Sequence, residues 1–188
     1  MDRGPPGASV EAGCRYCGCN IGKAPGGLEG AQAPACVLCG LAQNLVWPRI
    51  DEEACLVWVP EMSQAALNVM IRRCHVALRA HGERVETEAK PARASGIVPT
   101  LYHIEQALLG RRGEAETRLG TTSPSALADA LLRLRPESYV EREQLLSGTR
   151  LLSLGRFFGG TTDIYPEIVD SWSPGVRNAG ASAAKGGH

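Results

Sequence analysis

Two copies of the pattern Cys-x-x-Cys-Gly constrain the fold of this 188-residue chain more than any other feature. Cys14 and Cys17 form the first pair, Cys36 and Cys39 form the second, and residues 18–35 separate them. Two residues between cysteines allow a tight turn to direct both sulfurs at one ion. The following glycine permits a left-handed backbone whose amides can hydrogen-bond the thiolates. Tetrahedral zinc takes four such ligands at about 2.3 Å, so we predict one zinc ion, Zn²⁺, bound by these four cysteines.

Two other interpretations of the cysteines stay open. The four residues could be two unrelated reduced pairs. Alternatively, Cys19 could replace Cys17 in a shifted register, although residues 15–18 would then separate it from Cys14. The regular spacing favours Cys14 and Cys17 as the ligands. Cys55 and Cys74 lie alone in apolar surroundings, and we expect both to be small buried side chains.

The predicted zinc is structural rather than catalytic. A catalytic zinc keeps one position for water and uses histidine or carboxylate among its ligands. Four thiolates fill the shell and leave no position for water. Residues 13–46 are rich in Gly and Pro and poor in apolar side chains, so the metal would supply stability that this segment cannot gain from a core of its own.

Composition and charge exclude several classes of binding protein. The chain has 20 Lys and Arg and 20 Asp and Glu residues, which is not the balance of a nucleic-acid coat protein or a polybasic membrane binder. No apolar run approaches the roughly 18 residues of a membrane span, and the first residues do not form a secretory signal. We therefore expect a cytoplasmic protein, with no nucleic acid and no membrane insertion, in which clustered cysteines bind metal rather than form disulfides.

The organisation predicted from the sequence is α+β, a mostly helical single domain with an N-terminal four-cysteine zinc-knuckle module. Residues 1–12 and 177–188 are dominated by small residues and proline, and are expected to be a disordered leader and tail. The domain spans residues 13–176. Its zinc module and a strand occupy 13–59, and its helical body occupies 60–176.

The clearest predicted elements follow the second cysteine pair. Residues 54–59 are apolar and β-rich, which indicates a strand. Ser63 is a suitable N-cap for a helix that starts at Gln64 and stops at Gly82. The apolar stripe of that helix has helical spacing and contains Leu67, Met70, Ile71, Cys74 and Leu78.

The remaining chain predicts further helices. Ser123 and Pro124 indicate an N-cap and a first helical residue, and Pro136 indicates the end of that helix. Residues 83–95 are expected to be a linker or loop, and residues 151–158 are apolar but ambiguous. The other predicted helices cover 101–119, with a break at Gly110 or Gly113, then 136–146 and 164–172.

No histidine pattern predicts catalysis. Nucleases of the His-Asn-His type, which also use paired cysteine knuckles, need a histidine between the pairs to activate water. Residues 18–35 contain no histidine. We expect His75 and His81 to be solvated near a helix end and His103 to be a surface residue, so a second metal site is not predicted. The protein is therefore expected not to be an enzyme.

One stretch carries a family resemblance. It begins at Cys36 and Cys39, continues through residues 56–68 (LVWVPEMSQAALN), and ends at Cys74-His75-Val76. This order of cysteines, strand, Pro-Glu, Ser-Gln and Leu-Asn resembles the DotN (IcmJ) family of the Dot/Icm type IVB secretion system. The resemblance is strong over residues 36–80 and weaker over 14–172.

The resemblance implies a zinc-stabilised scaffold similar to a degenerate His-Asn-His (treble-clef-like) fold. It also implies a non-catalytic adaptor that binds the cytoplasmic C-terminal tail of a DotL-like coupling ATPase. Other adaptors bind the same ATPase, and the resulting complex is peripheral to the bacterial inner membrane. Of the family's functional residues, only the four cysteines transfer, as zinc ligands. The interval between the cysteine pairs is much shorter than in the family. Rival hypotheses are a zinc-dependent nucleic-acid-binding protein or degenerate nuclease, and a free-standing zinc-ribbon protein.

A partner-binding segment is predicted in the C-terminal half. Apolar residues are dense between 145 and 158, and glycines at 148 and 159–160 interrupt any single buried helix. Part of this run could therefore form the wall of a groove for a disordered tail, which must bury apolar area to offset its ordering cost. Phe157 and Phe158 are the predicted contact residues.

Overall fold

Helices surround two small antiparallel sheets of two strands each in the part of the chain that the structure describes. The computed structural model describes residues 13–19, 21, 34–87, 89–91 and 95–173. The predicted leader 1–12 and tail 177–188 lie outside these residues. The elements, in chain order, are α1 (Val37–Gln43), α2 (Ile50–Glu53), β1 (Ala54–Trp58), α3 (Gln64–Ala80), α4 (Val98–Gly110), α5 (Arg112–Leu119), α6 (Pro124–Leu132), α7 (Pro136–Val140), α8 (Arg142–Leu145), β2 (Thr149–Ser153), β3 (Phe158–Gly159), β4 (Thr162–Asp163) and α9 (Tyr165–Ser171).

The strand β1 lies at the centre of the core. It pairs antiparallel with β2, where Leu56 lies opposite Leu151. On the other edge of β1, the Leu56 N–H donates to the Thr122 carbonyl at 2.8 Å. The strand predicted over residues 54–59 is confirmed, and the ambiguous run 151–158 supplies most of its partner. A strand in a two-stranded sheet normally has one edge without hydrogen bonds. Both edges of β1 are hydrogen-bonded and Val57 is fully buried, so β1 lies inside the protein.

Helix α3 packs against several other elements of the fold. The Ser63 hydroxyl accepts a hydrogen bond from the Ala66 N–H at 3.2 Å and so caps the helix. Leu67 and Leu78 are fully buried on the predicted stripe, and Gly82 follows the helix with φ +75°. The predicted helix is confirmed, and it contacts α1, α4, α9 and β2.

The segment after α3 has no helix or strand over its described residues, in agreement with the predicted linker or loop, but part of it is packed against the core. Val85 and Thr87 are each 1% exposed, and the Thr87 N–H donates to the Leu154 carbonyl at 3.1 Å. Buried and more exposed residues alternate from Glu83 to Thr87, as in an extended strand-like segment. Only one of the buried residues is aliphatic, which is why hydropathy did not reveal the packing.

For the later helices, the caps were predicted more accurately than the lengths. The Ser123 hydroxyl accepts from the Ala126 N–H at 3.0 Å and caps α6 as expected. The helix predicted over 101–119 begins earlier, at Val98, and its first part ends at Gly110, one of the two predicted break positions, before α5 begins at Arg112. The helix predicted over 136–146 is two short helices, α7 and α8.

Candidate metal centre

The first cysteine pair lies on a tight turn, residues 14–19, which we call the first knuckle. The Gly18 N–H donates to the Cys14 carbonyl at 2.8 Å, and the Cys14 N–H donates to the Cys19 carbonyl at 2.7 Å. Gly18 has φ +70°, the left-handed conformation that the sequence predicted. The two hydrogen bonds fold the turn back on itself, which brings the sulfurs of Cys14 and Cys17 to the same side.

The second pair lies at the start of a helix. Cys36 is the N-cap residue of α1, and Cys39 is in its first turns. Gly40 is inside this helix, so the left-handed conformation predicted for it was wrong. Unpaired N–H groups and the positive end of the helix dipole favour negative charge at this position. A helix N-terminus therefore holds the second pair, where a second left-handed turn had been expected, and the Cys39 N–H offsets part of the rise in the pKa of Cys36.

The four predicted ligands converge. The Sγ atoms of Cys14, Cys17, Cys36 and Cys39 all lie within 4.8 Å of one another. The Cys17 and Cys36 sulfurs are 3.7 Å apart, whereas tetrahedral zinc with bonds of about 2.3 Å places its sulfurs about 3.8 Å apart. All seven cysteines are free thiols. The donor set thus has the number, type and spacing that a single tetrahedral metal ion requires, and among the described residues it is the only group of three or more such ligands.

Without a cation, the pKa values of the clustered thiols shift in opposite directions. Backbone N–H donors, including those of Cys36 and Cys17, overcome the effect of burial and lower the pKa of Cys14 from 9.0 to about 7. Burial and the adjacent Cys19 thiol raise the pKa of Cys17. The Cys39 thiol, together with burial, raises the pKa of Cys36. Closely packed thiols therefore oppose one another's ionisation, and a divalent ion would remove that conflict.

Cys19 lies beside the cluster but outside the set of four. Its Sγ is 3.0 Å from the Sγ of Cys17. The four mutually close sulfurs are those of the regular Cys14 and Cys17 register, which favours that register over the shifted one. The other two cysteines, Cys55 and Cys74, are 6% and 5% exposed, which confirms the prediction that they are buried.

A buried amide on α3 contacts the cluster. The Asn68 Nδ2 donates to the Cys39 Sγ at 3.2 Å, and Asn68 is 5% exposed. The Gln64 side chain donates to Asn68 Oδ1 at 2.9 Å and bonds both ways with the backbone of Leu151 in β2. This chain of hydrogen bonds fixes the orientation of Asn68, so that its N–H group, rather than its carbonyl oxygen, faces the sulfur. Sequence analysis placed both residues on α3 but did not connect them to the metal.

One histidine prediction was wrong. His75 is fully buried, whereas His81 and His103 are exposed as expected. The His75 Nδ1 is 2.7 Å from the Tyr165 hydroxyl, and its Nε2 is 3.0 Å from Glu105 Oε1. His75 follows Ile71 by four residues on the buried stripe of α3. That spacing was a signal of burial that the sequence analysis did not use.

The predicted partner residues take different positions. Phe157 is 2% exposed and stacks on Trp47 with ring centroids 5.6 Å apart, so its ring has no free face for a partner. Phe158 is half-buried, and the Arg49 guanidinium lies 3.4 Å above the centre of its ring. Each ring thus has a partner within the protein, Trp47 for Phe157 and Arg49 for Phe158.

No protein-family model matches the chain, and no curated protein is detectably similar to it in sequence. No helix in the described part of the chain combines the length and apolar composition needed to cross a lipid bilayer. What the centre can bind therefore follows from its donor atoms and their spacing. Those donors are four clustered thiols, the typical set for a structural metal ion.

Proposed function

We propose that the protein is a non-catalytic, zinc-stabilised adaptor subunit of a bacterial type IVB secretion coupling complex. The observation that carries the proposal is the closed donor set, four cysteine sulfurs within 4.8 Å of one another. Four thiolates complete the shell of a zinc ion and leave no position for water or substrate. The ion then contributes to folding rather than to chemistry, and the protein acts through its surface.

The sequence motif of the DotN-like resemblance supports this proposal. Gln64 and Asn68 belong to that motif, and both take part in the hydrogen-bond chain to Cys39. In this proposal the motif supports the four-cysteine centre through these hydrogen bonds. A degenerate His-Asn-His (treble-clef-like) scaffold, with the metal retained as a support, is the fold that we propose on this basis.

The proposed partner is the cytoplasmic C-terminal tail of a DotL-like coupling ATPase, together with its other adaptors. Through that complex the protein would lie in the cytoplasm at the inner membrane, without binding nucleic acid or inserting into lipid. Affinity purification of the chromosomally tagged protein from detergent-solubilised cells should recover the coupling ATPase. A truncated ATPase that lacks its cytoplasmic tail should not be recovered. Recovery of the truncated ATPase at the same level would contradict the proposal.

Zinc is the proposed metal. Purified protein should contain one zinc per chain by elemental analysis, and Cys36→Ser should lose both the zinc and the helical circular dichroism signal. Cys74→Ala is the matched control, because it removes a buried thiol that lies outside the cluster. Folded and reduced protein without zinc would contradict this assignment.

Nuclease action is the rival hypothesis, and a direct assay separates the two. With Mg²⁺, Mn²⁺ or Ni²⁺ present, the protein should not cleave single- or double-stranded DNA above the background of Cys36→Ser. Metal-dependent cleavage that disappears in a His75 or His103 variant would overturn the adaptor proposal. His103 is the more informative position, because it is exposed and its substitution should leave the fold intact.

A further inference from the structure

Cys19 is a clustered cysteine that the proposed metal centre does not use. Its Sγ lies 3.0 Å from the Cys17 Sγ, and a single residue, Gly18, separates the two cysteines in the chain. Sulfurs bound to one tetrahedral zinc ion lie about 3.8 Å apart, so a separation of 3.0 Å does not suit two ligands of the same ion. The contact between these two sulfurs is therefore not part of a tetrahedral metal shell.

The same contact suits a disulfide bond. An S–S bond is about 2.05 Å long and usually joins residues whose Cα atoms are about 4.4–6.8 Å apart. Cα atoms two positions apart in a chain are separated by at most about 7 Å, and a turn shortens that distance. Gly18 is exposed and has φ +70°, so it forms such a turn between the two cysteines. The two sulfurs need to approach by about 1 Å to bond, which the exposed turn allows.

Solvent reaches these two sulfurs more readily than the other three of the cluster. Cys17 and Cys19 are half-buried, and both line a surface cavity of about 560 Å³ beside α3. The remaining clustered cysteines are each 2% exposed, and they are Cys14, Cys36 and Cys39. The oxidation of cysteine depends on exposure as well as on thiolate character. A small oxidant therefore meets Cys17 and Cys19 before it meets the buried ligands.

We propose that Cys17 and Cys19 form a redox-sensitive modification site, at which a hydroperoxide such as hydrogen peroxide converts the two thiols into a disulfide. This site goes beyond the adaptor function and does not depend on the identity of the partner. In a reducing compartment a disulfide of this kind is transient, and such disulfides are typically catalytic or redox-sensing. With no catalytic group beside it in the proposed function, this pair senses peroxide.

The reaction has two balanced steps. The Cys17 thiolate attacks one oxygen of the peroxide, an S–O bond forms, the O–O bond breaks, and the leaving hydroxide takes a proton from solvent to become water. The Cys19 sulfur then attacks the Cys17 sulfur, so that the S–S bond forms and the S–O bond breaks. The second hydroxide leaves as water with the proton of the Cys19 thiol. The two sulfurs lose two electrons in total, and these reduce one hydrogen peroxide to two water molecules.

Oxidation would remove one ligand from the metal centre. Cys17 is one of the four mutually close sulfurs, and the thiolate form of cysteine is the one that binds metal. Once Cys17 is bonded to Cys19, three cysteine ligands remain, and they hold an ion less tightly than four. Reduction of the disulfide restores the Cys17 thiolate. Metal binding by the first knuckle thus becomes linked to the peroxide level.

The test uses full-length zinc-loaded protein that is treated with hydrogen peroxide, alkylated and digested with trypsin. Trypsin cleaves after Arg15 and Lys23. The resulting peptide, residues 16–23, contains Cys17 and Cys19 and no other cysteine. Mass spectrometry should find this peptide unalkylated and lighter by two hydrogen atoms than its reduced form. Its formation should parallel the release of zinc to a chromophoric chelator, and dithiothreitol with added zinc should restore the original metal content.

Cys19→Ser tests the second thiol. This variant should load zinc normally, but peroxide should leave a sulfenic acid on Cys17 that dimedone labels. Without a neighbouring thiol, prolonged exposure oxidises this group further and irreversibly, so the zinc recovered after dithiothreitol should fall at least about fivefold below the wild-type value. Cys74→Ala is the matched control, because it removes a buried thiol outside the cluster and should recover like wild type.

Several results would overturn the assignment. One is a disulfide within residues 24–49, which contain Cys36 and Cys39, or one that joins Cys14 to residues 16–23. Equal zinc recovery by Cys19→Ser and wild type, or no disulfide at all, would also overturn it. Failure of Cys19→Ser to load zinc would make Cys19 a ligand instead. None of these results bears on binding of the coupling ATPase, so the redox site and the proposed function fail separately.

Discussion

The side-chain amide of Asn68 donates a hydrogen bond to the sulfur of Cys39, with 3.2 Å between Nδ2 and Sγ. Through this contact α3 is linked directly to the metal centre. Hydrogen bonds to a ligating thiolate delocalise its charge and fix its position. The four-cysteine module and the helical body, which the sequence presents as separate segments, therefore share one interaction network.

Asn68→Ala should weaken zinc binding by about 10- to 100-fold, because the Cys39 thiolate loses its side-chain donor. Competition with a chromophoric chelator measures this change. Ser63→Ala is the control: it removes the cap of the same helix and should lower the free energy of unfolding by about 1 kcal/mol without changing zinc affinity in the folded state. The same loss of affinity in both variants would mean that helix stability, and not the hydrogen bond, controls the metal.

His75→Ala should destabilise the protein by about 3 kcal/mol or more, because it opens a cavity and leaves the buried Glu105 carboxylate and Tyr165 hydroxyl without their partner. His81→Ala, at the exposed end of the same helix, should change the free energy of unfolding by less than about 0.5 kcal/mol. Urea denaturation of zinc-loaded protein gives both values. Similar small effects of the two substitutions would place His75 in a solvated position, as the sequence alone suggested.

Local signals predicted the parts of the fold that depend on local chemistry. The cysteine spacing predicted which sulfurs cluster, and the hydroxyls of Ser63 and Ser123 predicted two helix starts. Each cap and each cysteine pair is complete within a few residues of chain, although the cluster joins two pairs that residues 18–35 separate. The tight turn brings together two thiols, and a cap needs only the N–H groups of the next turn.

The features that the sequence did not reveal join residues that are far apart in the chain. Glu105 follows Leu101 by four residues and precedes Leu108 by three, so its position on the buried face of α4 could have been inferred. Its partner, His75, could not have been identified. Hydropathy treats a charged residue as solvated, although two complementary groups can be buried together when they pair.

Gly155→Ala should be far more damaging than Gly160→Ala. Both glycines have positive φ, so each substitution carries a backbone penalty of about 1–2 kcal/mol. At Gly155 the new Cβ would lie 1.9 Å from the Val85 carbonyl oxygen, whereas nothing lies within 4 Å at Gly160. We expect Gly155→Ala to lower the thermal midpoint well below that of Gly160→Ala. Equal midpoints would show that the segment after α3 is not packed on this loop.

Cys17→Ser and Cys19→Ser should behave differently, although the two sulfurs are only 3.0 Å apart. Cys17 belongs to the four mutually close sulfurs and Cys19 does not. Cys17→Ser should therefore lose most of its zinc and its cooperative unfolding, because a hydroxyl is a poor replacement for a soft thiolate ligand. Cys19→Ser should keep one zinc per chain by elemental analysis. The reverse pattern would show that the shifted register binds the ion, with Cys14 and Cys19 as the first pair.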